Sequence, residues 1–296
     1  MLESKRTRLR RLISEETLAL PGVFNALTAQ LVEQTGFQAV YVSGAGLSNS
    51  AGYPDEGLLT LPEFVQQARY VADAVSIPVI CDADTGFGET LNVARTVREY
   101  EAAGVAGIHM EDQEWPKRCG HLEGKSVIEP EAMAEKVRAA VHARTDPEFL
   151  IIARTDARNV EGLDAAIRRG RLYAEAGADA IFPEAMETEK EFQVFAEKVK
   201  PSFGARAPIL MANMTEFGKS PLMSTERLGQ LGYRIVIFPQ TALRVALKAM
   251  KEALLDLKQK GTQKGFVNRM MTRQELYDLM QYEVTKKENP KSKVRR

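Results

Sequence analysis

The chain has 296 residues, 44% of them hydrophobic, and its 40 acidic side chains balance 40 basic ones. These bounds describe a globular protein and exclude the basic footprint that nucleic acid or an anionic membrane surface requires, so small molecules are the expected partners. The apolar runs are far short of a membrane span, and Cys81 and Cys119 alone supply neither a disulfide framework nor a CxxC pair, which points to a reducing, cytoplasmic compartment.

The opening segment, MLESKRTRLRRLISEE, lacks the apolar stretch of a secretory signal, and Glu3, Glu15 and Glu16 argue against a transit peptide. It reads as a solvated amphipathic helix. Eight short apolar segments follow: LALPGVF (18 to 24), AVYVSG (39 to 44), PVICDAD (78 to 84), GIHMED (107 to 112), FLIIARTD (149 to 156), AIFPEA (180 to 185), PILMANM (208 to 214) and RIVIFP (234 to 239). Several are preceded by an amphipathic stretch ending in a glycine turn, as in TAQLVEQTGFQAV and RRGRLYAEAGADAI. Continuously apolar strands suit a parallel sheet buried on both faces, and the glycines suit the left-handed residue that closes a helix. Eight such units imply an α/β fold of the (β/α)8 TIM-barrel type. A doubly wound open sheet is the competitor, but no GxGxxG follows any of the strands. After the eighth strand, TALRVALKAMKEALLDLKQKG and RQELYDLMQYEVTKKE read as helices. The chain is therefore expected to be one barrel domain, with its core at 18 to 260, a helical extension at 265 to 288 and a frayed charged tail at 289 to 296.

Polar residues fall at the carboxyl ends of these segments: Ser43, Asp82 and Asp84, His109 and Glu111, Arg154 and Asp156, Glu184 and Asn213. In a barrel those ends converge on one mouth, where catalytic groups sit. Asp82 and Asp84, in CDADTGFGET, would point the same way from a regular strand, and paired hard oxygens suit Mg²⁺. The same letters also form a common turn and cap, so both readings stand. Glu111 could add an acceptor through a bound water. Arg154 suits a bidentate grip on a carboxylate or an ordinary ion pair. Cys81 reads as a buried small hydrophobe.

EWPKRCGHLEG (114 to 124) directly follows the fourth strand, is too polar to pack, and contains a proline and two glycines. Those features describe a mobile lid. It carries Cys119 after Lys117 and Arg118, and neighbouring cations favour a thiolate. The expectation is a thiol that exchanges protons at the mouth.

KRCGH, with the upstream SGAG and DADTGFG and the later ARTDAR, resembles the isocitrate lyase and phosphoenolpyruvate mutase superfamily, from PGVFNALTA to the RQELY helix. The resemblance implies Mg²⁺ on Asp82 and Asp84, with Asp55 and Glu111 on metal-bound waters. It implies that Ser43, Gly44 and Ala45 bind the 2-oxo acid portion, although Gly-Ala-Gly at 44 to 46 departs slightly from the family. Arg154, Glu184, Asn213, Met214, Thr215, Arg244 and Arg273 match substrate-binding positions, and the backbone at Gly120 would help hold the carbanion. Cys119 matches the proton donor, with Arg118, His121, His109 and Glu111 in the catalytic set; for the two histidines, orienting neighbours stands level with a direct proton role.

Within that superfamily the cysteine-bearing loop marks the carbon-carbon lyases. The implied activity is Mg²⁺-dependent cleavage of the tricarboxylate 2-methylisocitrate to pyruvate and succinate, as in propionate degradation. Alternatives are 2,3-dimethylmalate or isocitrate as substrate, a 2-oxo acid decarboxylase or phosphonopyruvate hydrolase, and a non-catalytic binding protein. Longer isocitrate lyases place a tryptophan and a larger ring where this chain has Phe182 and Pro239, which would leave room for an extra methyl. Alternatively, Phe182 simply fills the barrel. The family also implies a homotetramer with a helix exchanged between neighbouring barrels.

Overall fold

The computed structural model describes residues 3 to 121 and 124 to 282. Eight parallel strands close in sequence order: β1 (Leu18–Val23), β2 (Val40–Val42), β3 (Val79–Asp82), β4 (Gly107–Glu111), β5 (Leu150–Thr155), β6 (Ala180–Pro183), β7 (Ile209–Asn213) and β8 (Ile235–Phe238). Strand β8 returns to pair with β1. Around them run α1 (Lys5–Glu15), α2 (Ala26–Gln34), α3 (Gly44–Ser50), α4 (Leu61–Ala74), α5 (Thr90–Ala102), α6 (Pro130–Ala143), α7 (Ala157–Glu161), α8 (Leu163–Glu175), α9 (Glu189–Val199), α10 (Thr225–Gln230), α11 (Thr241–Lys260) and α12 (Arg273–Leu279). All eight segments read as strands are strands, and Gly104 and Gly177 turn the chain after α5 and α8 with φ of 82° and 104°.

Below their carboxyl ends the strands are apolar because both faces are covered. Val79, Cys81, Ile108, Met110, Ile151, Ala153 and Ile181 face the helices, whereas Ile80, Leu150, Ile152, Ala180 and Phe182 fill the barrel. Alternation along a strand then fixes the direction of the charged residues. Asp82 continues the inward set of β3, His109 and Glu111 that of β4, and Arg154 that of β5.

Helix α1 departs from its expected solvated role. Its Leu9, Leu12 and Ile13 are buried with the inward-facing strand residues and plug the amino end of the barrel. Its arginines bind the barrel rim: Arg6 Nη1 lies 2.9 Å from Asp146 and Arg10 Nη2 3.0 Å from Asp179. Helix α11 forms as expected and ends on left-handed Gly261. The last expected helix is shorter than its sequence suggested, ending at Leu279, and the charged tail lies outside the described residues. The length of α11 is almost wholly unburied, with only Leu243 covered.

Candidate active site

The register of the barrel sets the inward polar residues side by side. Asp82 pairs with His109 across β3 and β4, Glu111 with Arg154 across β4 and β5, and Arg154 with Phe182 across β5 and β6. Arg154 is the hub. Its Nε and Nη2 donate to Asp156 at 2.9 and 3.1 Å, and its Nη1 lies 3.2 Å from Glu111 and 3.6 Å from Glu184. Its guanidinium carbon stands 5.3 Å from the Phe182 ring centre. Burial opposes that charge, but Asp156, Glu111 and Glu184 outweigh it and hold the guanidinium well above its ordinary pKa. Glu184 is affected in the opposite sense: burial would raise its carboxyl, and Arg154 with His121 pulls it well below the ordinary range. Asn213 donates to both Glu184 oxygens at 3.3 and 3.2 Å.

Asp84 is not placed by strand alternation. It lies past the end of β3 with φ of 44°, and its backbone N–H donates to Asp82 Oδ1 at 2.9 Å. The turn and the paired carboxylates are thus one feature. Asp82 Oδ2 accepts from the Gly44 N–H at 3.2 Å, and a Cβ on Gly44 would come within 2.6 Å of that oxygen. The Ser43 hydroxyl caps α3 through the Gly46 N–H, with Ala45 in the first turn. On the other side, His109 Nε2 is 2.8 Å from the Tyr41 hydroxyl and 3.7 Å from Asp82. Burial lowers the His109 pKa, so the ring is neutral and orients Tyr41.

These residues fit a hard divalent cation. Asp84 Oδ1 and Glu111 Oε2 are buried without a well-directed hydrogen bond. Burial raises both carboxyls, that of Asp84 to about 7, which signals negative charge short of compensation. Among the described residues no three His, Cys, Asp or Glu side chains converge closely enough to hold a metal alone. One or two carboxylates completed by water and substrate oxygens is the arrangement Mg²⁺ accepts. Lys117 reaches the same place: its buried ammonium contacts Asp55 and lies 2.9 Å from Asp84 Oδ1.

The loop after β4 is laid over this cluster. Gln113 holds it from beneath, its side chain donating to the Arg118 carbonyl at 2.8 Å and accepting from the Arg118 N–H at 2.9 Å. Gly120 then presses into a slot where a Cβ would lie 2.3 Å from Arg154 Nη2 and 2.5 Å from Glu184 Cγ. His121 Nδ1 accepts from the Lys219 N–H at 3.0 Å, which leaves the ring proton on Nε2, 2.8 Å from Glu184 Oε1. Cys119 is half-buried among these groups. Its thiol is raised above its usual range, first by burial and then by Asp55. The expected thiolate-stabilising pair does not form around the sulfur, because Lys117 turns to Asp55 and Asp84, and Arg118 is exposed beside Gly124. At rest the group is a protonated thiol, suited to donate.

The model of the family described as phosphoenolpyruvate phosphomutase matches residues 9 to 258. The chain belongs to this family. Over 93% of its length it is 51% identical to a 2-methylisocitrate lyase of Aeropyrum pernix, of which it covers 86%. The crystal structure of a 2,3-dimethylmalate lyase superposes with a TM-score of 0.87 at 35% identity, covering 94% of this chain and 92% of the other. That of a phosphonopyruvate hydrolase with oxalate and Mg²⁺ superposes with a TM-score of 0.84 at 32% identity, covering 94% and 95%. The family is metal-dependent.

Measured against the family pattern, Asp55, Asp82, Asp84, Glu111, Arg154, Glu184, Asn213, Gly120 and His121 come together at the mouth, with Phe182 beneath them. Met214 and Thr215 are buried just past β7, and Pro239 packs its carbonyl against Gly22. Arg244 stands apart on α11, bound to Glu216 and stacked 5.3 Å from Phe217. Arg273 is exposed at the start of α12, a helix that packs on α2. Sequence reasoning did not select Tyr41, Gln113, Lys117 or Lys125 for the site. Lys117 opens the KRCGH motif and was read only as a neighbour of the thiol, and nothing in the local sequence marked Lys125.

Proposed function

We propose that this protein is a Mg²⁺-dependent carbon-carbon lyase that cleaves 2-methylisocitrate to pyruvate and succinate. The observation that carries the reading is the seating of a protonated Cys119 thiol at a buried mouth that also holds Arg154, Glu184 and the Asp82–Asp84 pair. Mg²⁺ bound at Asp82 and Asp84 would supply positive charge to the oxygens of the forming pyruvate. An N–H of Arg154 not taken up by Asp156 would donate to a substrate carboxylate, and Ser43 with the α3 amino end would meet the 2-oxo acid portion. The tertiary hydroxyl gives its proton to a carboxylate of the mouth, its electron pair forms the pyruvate carbonyl and the carbon-carbon bond breaks. The bonding pair is left on a carbon beside a succinate carboxylate, where Asn213, Thr215 and the Gly120 backbone disperse its charge. Cys119 gives its proton to that carbon, and the loop keeps bulk water away. In the reverse direction its thiolate would take the same proton.

The reading brings with it a place in propionate degradation, a cytoplasmic location and a homotetramer. Val245, Leu254 and Leu255 on α11, each more than half exposed, support self-association. In such an assembly Arg273 would serve a neighbour's mouth. No helix among the described residues is long and apolar enough to cross a membrane. A second reading, 2,3-dimethylmalate lyase, is favoured by the superposition on that enzyme and offers a similarly substituted carbon. The test is a product assay of the purified protein with Mg²⁺ on 2-methylisocitrate, 2,3-dimethylmalate, isocitrate and oxaloacetate. Pyruvate and succinate from the first substrate are expected. Pyruvate and propionate from dimethylmalate, formed faster, would establish the second reading, and dominant glyoxylate from isocitrate would overturn both.

A further inference from the structure

Four residues past the histidine of the loop motif, beyond the undescribed pair at 122 and 123, the chain buries a second lysine whose role the chemistry above leaves open. The Lys125 side chain is 1% exposed and its partner Asp156 is fully buried. The ammonium donates to the Gly120 carbonyl, one residue after Cys119, and to Asp156 Oδ1 at 2.7 Å. Asp156 is the carboxylate that holds Arg154 in a fork, so one buried group receives both the loop and the guanidinium at the mouth. Its own position is fixed from outside the barrel. The Asp156 N–H donates to Asp112 Oδ1 at 2.8 Å, and Asp112 Oδ2 accepts from Thr155 at 2.8 Å and from the Tyr173 hydroxyl at 2.7 Å. A buried ammonium is costly unless paired and directed, so this arrangement persists only with the loop seated.

We infer that Lys125 is a positioning residue which latches the Cys119 loop onto the barrel: by bridging the Gly120 carbonyl to Asp156 it fixes the thiol relative to the guanidinium that Asp156 also orients. Without it, among the described residues the Gly120 carbonyl keeps the long contact from Asn159 Nδ2 at 3.5 Å alone. The loop then leaves its slot between Arg154 and Glu184. The inference rests on the proposed lyase reading only for the identity of Cys119 as the acid.

The chain's two cysteines make the experiment self-controlled. Ligand-free wild type, Lys125→Met and Lys125→Arg are treated with iodoacetamide at fixed pH, and alkylation of each cysteine is followed by peptide mass spectrometry. Loss of a charge-assisted tether should raise the Cys119 rate in Lys125→Met roughly tenfold to hundredfold, with Lys125→Arg close to wild type. Cys81, fully buried within β3 on its helix-facing side, should stay unreactive in all three. Unchanged Cys119 reactivity, or a parallel rise at Cys81, overturns the latch; the second result would mean general destabilisation. In turnover, kcat of Lys125→Met should fall roughly 100-fold with KM little altered, because the acid is misplaced while the groups that bind substrate remain. If wild type fails to cleave 2-methylisocitrate, the substrate reading falls and the alkylation ratio still decides the latch.

Discussion

A single methyl group at Gly120 should silence this site. A Cβ there would lie 2.3 Å from Arg154 Nη2, about 1 Å inside the 3.4 Å at which ordinary contact begins, and 2.5 Å from Glu184 Cγ. Neither neighbour can give way cheaply. Arg154 is held by Asp156 and Glu111, and Glu184 by Asn213 and the Ala185 N–H. The loop itself must therefore lift by about 1 Å, and misplacement on that scale costs a catalytic step ~100-fold. Overpacking of this kind also costs roughly 1 to 3 kcal/mol if the loop stays down. The two outcomes are separable. Gly120→Ala should show kcat reduced about 100-fold with thermal stability nearly intact, because lifting an edge loop is easier than straining a buried ion network. Cys119 alkylation should accelerate in the same variant. A Gly120→Ala enzyme with wild-type kcat would refute the seating of the loop and, with it, the placement of the thiol.

Cys119→Ser should lower kcat by roughly 10² to 10⁴ while calorimetry shows pyruvate and Mg²⁺ binding preserved, since a hydroxyl is a far weaker acid; wild-type turnover would end the proton-donor assignment. Because burial raises the thiol and cleavage needs the protonated form, kcat should hold through neutral pH and decline only above the ordinary thiol value of about 8.5. Asp84→Asn should weaken Mg²⁺ affinity and leave activity partly recoverable at higher magnesium; unchanged magnesium dependence would move the metal elsewhere. In the metal-free protein the Asp84 carboxyl is raised to about 7, so the folded state holds a proton that the unfolded chain loses near pH 4, and stability from this group falls as pH rises between those values. Mg²⁺ must displace that proton, and its upward shift of Tm should be larger at pH 8 than at pH 6; an equal shift would remove Asp84 from the metal site. Phe182→Trp should lower kcat/KM for 2-methylisocitrate at least about tenfold more than for isocitrate, the range one methyl in an apolar pocket allows, and equal losses would assign Phe182 to barrel filling alone.

The barrel was legible because its strands are apolar on both faces and the helices before them close on glycine, two signals that depend only on local chain chemistry. The inward direction of Asp82, Glu111 and Arg154 followed from the same alternation. Asp84 did not follow, since its orientation comes from a left-handed turn and an internal hydrogen bond to Asp82. Nor did the state of Cys119. Adjacent cations in sequence suggested a thiolate, but along an irregular loop neighbouring side chains diverge, and Lys117 spends its charge 2.9 Å from Asp84. The burial of α1 was hidden for a related reason: Leu9, Leu12 and Ile13 make a narrow apolar stripe among arginines, and only the open end of a barrel gives that stripe somewhere to go. Lys125 is beyond sequence reading altogether, because its partner Asp156 arrives from the next strand.

The electrostatics of the mouth also dictate an order of events. The acidic side chains of Asp55, Asp82, Asp84, Glu111, Asp156 and Glu184 are met by the cations of Lys117, Arg154 and Lys125, and burial favours the protonated forms of Asp84 and Glu111 until a cation displaces those protons. His109 adds no charge, being held neutral, and His121 carries a single ring proton in the observed hydrogen bonds. On the proposed reading, an approaching tricarboxylate would meet repulsion of about 4 kcal/mol for each unit of uncompensated carboxylate charge at 4 Å under an effective dielectric near 20. A dication at Asp82 and Asp84 would reverse that sign where the hydroxy acid is proposed to dock, which favours binding of the metal before the substrate. The same surplus draws the Lys117 ammonium down onto Asp55 and Asp84. Loop and metal would thus be attracted by one set of carboxylates, and on the proposed reading the charge brought in by the substrate would let both remain there while Cys119 delivers its proton.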